Sequence, residues 1–311
     1  MRTGTLGVVL AVATIGTGTT ARAQGQLTAS EPASISQVVD GTKVTIEYSR
    51  PRARGRTGLF GTEVTWGHIW TPGANQATTL AVSRDVSING HAVAKGKYTV
   101  WMVVVPGDWE LVLDHDTTLF HTQGPHRRAG QIRFIVPREH RAFTETLTWS
   151  FPTVRTSGML LTMQWDTVYV PLDIKVMPTF TTAVPPDAAQ RVAGTYHWRW
   201  SPEFANPGVG DTTLSHEPPM KYPASMLTVR YVGNELHATF DPPLYDSPRY
   251  GEYLLIRRRG DLYSFGRVYG GELVEIWDFC ALQFTVANGQ PASFEVRGTD
   301  DDLWASGKAE H

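Results

Sequence analysis

The sequence predicts an all-β protein of two units, a jelly-roll-like β-sandwich followed by an antiparallel β-barrel. Three observations predict it. Apolar residues recur at every second position in short runs, the strand period, and no sustained 3.6-residue period follows the N-terminal segment. Turn dipeptides such as Asn89-Gly90, Gly233-Asn234 and Asn288-Gly289 punctuate these runs at hairpin spacing. A Pro-rich break from Met177 to Pro186 separates two such series.

Residues 1–23 read as a secretory signal peptide. Arg2 gives the positive start, Leu6 to Ile15 an apolar core too short to span a bilayer, and Ala21-Arg22-Ala23 an A-x-A cleavage site before Gln24. The expected location is periplasmic or secreted, with no membrane span elsewhere in the chain. Residues 24–176 make the expected sandwich. Thr42 to Tyr48 alternates, with Val44, Ile46 and Tyr48 on one face, and Thr79 to Ile88 reads as one strand entering the Asn89-Gly90 turn. Lys97 to Val105 is apolar on both faces and so is expected to be covered on both. After the Pro106-Gly107-Asp108 turn come Trp109 to Leu113, Gln131 to Val136, Thr146 to Phe151, Met159 to Trp165 and Val168 to Val176. The last two are expected to form a hairpin through Asp166-Thr167.

Residues 177–190 read as a linker, and residues 191–311 as the barrel. Its expected strands are Gly194 to Trp200, Met226 to Val232, Glu235 to Asp241, Tyr253 to Arg257, Leu262 to Arg267, Leu273 to Phe279, Ala281 to Ala287 and Ser293 to Arg297. In order, these suit an up-and-down barrel. The Pro- and Gly-rich loop from Ser201 to Pro223 is long enough for a lid or an insert.

Composition excludes several classes. With 19% charged residues and a net charge of -2, nothing argues for a nucleic-acid partner. The single cysteine, Cys280, allows no internal disulfide and lies in a strand-like run, as a buried small hydrophobe would; a catalytic thiol is the sharper alternative. No nucleotide-binding glycine pattern occurs, so no cofactor is expected, and no G-x-S-x-G elbow is present.

Three clusters carry chemistry. Trp66, His68, Trp70 and Asn75 gather around one loop, where rings can stack on a sugar or aromatic ligand while an amide bonds its edge; a half-buried strand would show the same alternation. Arg50, Arg52, Arg54 and Arg56 would all point to one side of an extended arm, a grip for carboxylate or phosphate, or else form a solvated turn. The candidate ligand-binding set is Arg50, Arg56, His68, Trp70 and Asn75. The run Asp114-His115-Asp116 with His121 and His126 offers nitrogen and oxygen donors for a metal, or is a solvated loop.

Several of these residues belong to longer motifs. Val44-Thr45-Ile46-Glu47-Tyr48-Ser49-Arg50-Pro51, Gly55-Arg56, Trp66-Gly67-His68-Ile69-Trp70, Gly73-Ala74-Asn75-Gln76-Ala77-Thr78-Thr79, Gly96-Lys97-Tyr98-Thr99, Trp109 and Leu160 to Trp165 together resemble the DUF2911 family over about 34–176. That resemblance implies a domain common in exported bacterial proteins and no defined activity. This chain departs from the family pattern at Trp70-Thr71-Pro72-Gly73-Ala74-Asn75, where the family usually has an arginine after the tryptophan. In the second unit, Val192 to Tyr196, Leu227-Thr228-Val229, Gly233 to Leu236 and Ser293 to Gly298 resemble small lipocalin-like β domains, which often follow hydrolase domains in exported proteins.

The leading expectation is an exported ligand-binding or interaction module that takes a small molecule or glycan. The alternatives are a hydrolase of a carbohydrate or small ester, with His68 or His115 as base, and a periplasmic metal-binding protein through His115, His121 and His126.

Overall fold

Hairpin chemistry sets the first sheet. Strands β1 (Glu31–Val39) and β2 (Thr42–Arg50) meet across Asp40-Gly41, both with positive φ (43° and 72°), the conformation that a two-residue turn matched to strand twist requires. The structure, a computed structural model, describes residues 29–201, 225–244 and 252–310; the expected signal peptide and most of the Ser201–Pro223 loop lie outside them.

The remaining strands of the first unit are β3 (Ile69–Trp70), β4 (Thr79–Val82), β5 (Val86–Ile88), β6 (His91–Val93), β7 (Gly96–Val103), β8 (Trp109–Asp114), β9 (Ile132–Val136), β10 (Glu139–Arg155) and β11 (Gly158–Val176). One sheet runs β1-β2-β4-β7-β8-β9 with β3 also on β7; the other runs β10-β11-β5-β6. They face each other as the expected sandwich. Val44, Ile46, Leu80, Tyr98, Val100 and Leu111 from the first sheet bury against Leu147, Trp149, Leu161, Met163 and Leu172 from the second.

Two expectations need correction. Thr79 to Ile88 is not one strand: the chain leaves the first sheet after Val82 and enters the second at Val86. The polar link Ser83-Arg84-Asp85 makes the crossing, with Ser83 Oγ accepting from the Lys43 amide (2.8 Å) and Asp85 Oδ1 from the Lys95 amide (2.8 Å). Asp166-Thr167 is not a hairpin either. β11 runs straight through it, bent at Asp166 (φ 52°) where the pairing with β10 shifts register, because a single left-handed residue makes a bulge and not a reversal.

β7 is covered on both faces, as its composition predicts. Tyr98, Val100 and Met102 face the sandwich core, while Trp101 packs on the outer side with Ala77, Val112, Ile69 and Leu119 under the loop after β8.

The expected linker contains one short helix, α1 (Pro186–Gln190), and Val184, Ala188 and Ala189 already belong to the second core. Beyond it lie β12 (Gly194–Trp200), β13 (Ser225–Val232), β14 (Glu235–Asp241), β15 (Glu252–Arg259), β16 (Leu262–Tyr269), β17 (Glu272–Ile276), β18 (Cys280–Ala287), β19 (Gln290–Gly298) and β20 (Leu303–Ala309). All pairings are antiparallel, and β15–β16 closes the ring β15-β14-β13-β12-β20-β19-β18-β16 into an eight-stranded barrel, the architecture the lipocalin-like resemblance implies. The membership of that ring differs from the expectation. β17 hangs outside on β16, and the unanticipated β20 takes a ring place between β12 and β19. β20 is poor in β-branched residues because it packs tightly: a side chain at Gly307 would run into the Phe294 ring and the His197 carbonyl. Among the described residues no helix is long and apolar enough to cross a membrane.

Candidate functional site

The expected ligand-binding side chains are divided between faces and largely committed to the chain's own backbone. Arg50, at the end of β2, reaches across the sandwich, donating from Nε to the Leu147 carbonyl (3.3 Å) and from Nη2 to Thr148 Oγ1 (3.0 Å). Ser49 and therefore Asn75 lie on the opposite face of that strand. Asn75 (φ 59°) donates from Nδ2 to the Ser30 carbonyl (3.1 Å) and to Ser49 Oγ (3.3 Å). The arginine arm is not extended. It turns at Arg54 (φ 55°) and Gly55 (φ 74°), so the extended backbone that would put all four guanidinium groups on one side is absent. Arg56 instead bonds the Ala53 carbonyl (2.8 Å) and pairs with Glu63 (3.1 Å). His68 is exposed, and its backbone holds the Thr65 and Val104 groups.

The loop from Thr71 to Thr78 is a buried clasp. Thr71 Oγ1 donates to the Val100 carbonyl (2.9 Å) and accepts from the Thr78 amide (3.0 Å). The Pro72 carbonyl accepts from Thr78 Oγ1 (2.9 Å) and Trp149 Nε1 (3.1 Å). Gly73 has no room for a side chain, which would meet the Thr78 hydroxyl. Thr71, standing where the resembled family usually has arginine, is thus a fastening residue here.

The three histidines considered for metal are separated in role. His115 packs its ring on Tyr98 (4.7 Å), His121 sets its amide (2.8 Å) and Nδ1 (3.0 Å) on the Asn75 carbonyl, and the His126 carbonyl accepts from Gln131 (2.9 Å). Among the described residues no group of three or more His, Cys, Asp or Glu side chains is placed to hold a metal ion. Their loop is anchored by Asp114, 1% exposed, which Arg128 grips through Nε (3.1 Å) and Nη2 while Gln131 donates at 2.7 Å. Burial works against its charged form, yet the bonds from Arg128, the Asp116 amide and Gln131 outweigh that and hold its pKa below the ordinary carboxyl value.

Trp70 leads to the most distinctive arrangement. Its ring lies nearly parallel to Trp165 (11°, centroids 6.1 Å apart), and Phe60 stands edge-on to both (5.5 Å and 6.1 Å) while touching Trp109 (4.9 Å). Phe60 belongs to a strap, residues 53–67, that covers this end of the sandwich. The strap is held by Asp166, whose Oδ2 accepts from the Leu59 amide (2.7 Å). Asp166 is 2% exposed, and its Oδ1 has no hydrogen-bond partner among the described residues; the same is true of Trp165 Nε1. Phe60, Trp165 and Asp166 were not candidates from sequence. The glycines of the strap were the visible signal, but not what they cover.

Residues 30–174 match the DUF2911 family model. Its description is a protein of unknown function. The match bears out the resemblance read from the motifs. The DUF2911 stretch takes in both sheets of the sandwich, the clasp, the strap and Asp166, and it ends within β11. Searches of curated proteins and of solved structures each found no match.

Proposed function

We propose that the chain is an exported protein of the bacterial envelope that binds a small molecule or a partner and does not catalyse. The observation that carries this reading is the commitment of Arg50 and Asn75 to Leu147, Thr148, Ser30 and Ser49. A hydrolase of the kind considered above needs those groups free to meet a developing charge. Here they hold the chain's own groups, and removing them leaves backbone carbonyls unpaired.

Thermal melts of Arg50→Ala and Asn75→Ala test it. Each loses about 1–2 kcal/mol, seen as a drop of several degrees. Unchanged melts for both variants mean that the two side chains are available to a substrate, and the hydrolase reading then replaces this one. The export part of the reading rests on Leu6 to Ile15 and Ala21-Arg22-Ala23. Mass spectrometry of the mature protein should find Gln24 at its N-terminus; a retained Arg2 contradicts export by this route.

A further inference from the structure

We propose that the aromatic end of the sandwich is a closed binding site for an arylalkyl ammonium ion, with the strap 53–67 as its lid. The inference rests on the binding-module reading and supplies its ligand class. Phe60 occupies the place of the ligand's ring. It stands edge-on to the parallel faces of Trp70 and Trp165 and against Trp109.

The site has a carboxyl group that the fold leaves half used. Asp166 spends Oδ2 on the Leu59 amide, next in sequence to Phe60, and keeps Oδ1 buried without a partner among the described residues. A buried acceptor without a donor is unfavourable, so a donor that reached Oδ1 would be held by it. An ammonium N–H would satisfy Oδ1, and its positive charge would gain from the neighbouring indole faces.

The strap is built to move. It turns at Arg54 and Gly55 (φ 55° and 74°) and ends at Gly67 (φ 82°), and at Gly55 and Gly67 glycine adopts these angles at little cost. At Gly55, Gly58 and Gly67 a side chain would meet nothing within 4 Å, so these glycines serve the backbone angle and not close packing. Displacing Phe60 would swing Leu59 and Phe60 outward between these hinges and loosen the backbone around Arg56, whose side chain is already half exposed, so that a protease can take it. A pocket that exists only when its internal occupant leaves is a minor state made dominant by ligand.

The experiment uses the full chain with phenethylammonium as the probe and uncharged phenethyl alcohol as its control, read by calorimetry. Saturable binding of the cation is expected, at least tenfold weaker in Asp166→Asn, with the alcohol binding both proteins alike. Asn at this position still accepts the Leu59 amide, so its melt should stay within a few degrees of the parent. Saturating cation should also speed trypsin cleavage after Arg56. No saturable binding by the unaltered protein, equal affinity in Asp166→Asn, or cleavage at Arg56 that ignores the cation each overturns the proposal. Failure here together with lowered melts for Arg50→Ala and Asn75→Ala removes this ligand and this lid but leaves the binding-module reading.

Discussion

The strapped end of the sandwich and the interior of the barrel are both built from aromatic rings, but they close in different ways. In the barrel, Phe240 meets Tyr253 (82°) and Phe294 (84°), and Phe294 meets Tyr196 (85°), all edge-to-face. Those rings hang from strands bonded on both sides around a closed ring, the size of barrel whose interior side chains can fill. In the sandwich, Phe60 reaches the same kind of contact from a glycine-jointed strap closed on itself by the Gly61–Val64 backbone bond and tied down by Asp166 and, at its ends, by backbone bonds from Ala53 to Glu145 and from Gly67 to Val104. Both regions bury polar groups without partners among the described residues, Trp198 Nε1 and Tyr263 OH in one, Trp165 Nε1 and Asp166 Oδ1 in the other. Among the described residues, only in the sandwich does a short segment outside the main sheets cover them. Where a core is closed by continuous pairing it is scaffold; where it is closed by a strap it can be a site.

The largest effect should fall in the barrel. Phe294→Ala, at a position 1% exposed and ringed by partners, should lose about 3–5 kcal/mol in chemical denaturation, because the ring strands cannot collapse onto the void. Phe60→Ala should lose about 2 kcal/mol, since the strap can relax into the space it leaves. Equal losses would erase the distinction. Arg128→Ala should lower stability less than either: it strips a buried carboxylate of its fork, but Arg128 itself is half exposed and its charge is screened. Because Asp114 has a depressed folded pKa, the stability it contributes is present above the ordinary carboxyl value, about 3.9, and fades as pH falls through the lower folded value. The acid limb of the stability curve should therefore flatten in Arg128→Ala. The smallest effect is a null one in the barrel. Burial pushes the Cys280 thiol up to about 12, so iodoacetamide at pH 8 should leave it unmodified in the folded protein and label it on unfolding. Fast labelling of the folded protein would mean that the barrel opens as readily as the strap.

Much of this was legible in the sequence, and the failures have physical causes. The Gly233-Asn234, Gly270-Gly271 and Asn288-Gly289 turns all fold with positive φ at both residues, as their chemistry dictates. Asp40-Gly41 carried the same signal and would have revealed β1. β20 was hidden because Leu303 to Ala309 has the composition demanded by tight packing, not by β-propensity. The DUF2911 motif residues were recognisable, but their roles were not. A loop containing Trp70, Asn75 and Thr78 reads alike whether its polar groups face a ligand or fasten the Pro72 carbonyl. Asp166 looked like a turn residue since its left-handed bend is local, whereas its bond to Leu59 joins residues far apart in the chain.

Hydrogen exchange followed by mass spectrometry tests the contrast most directly. The amides of Leu59, Gly61 and Val64 should exchange through a local opening whose rate hardly responds to low denaturant, while those of Leu80, Phe240 and Phe294 exchange only with unfolding of their units. Strap amides that are as protected as the sandwich strands, and that yield only when those strands unfold, would contradict the account.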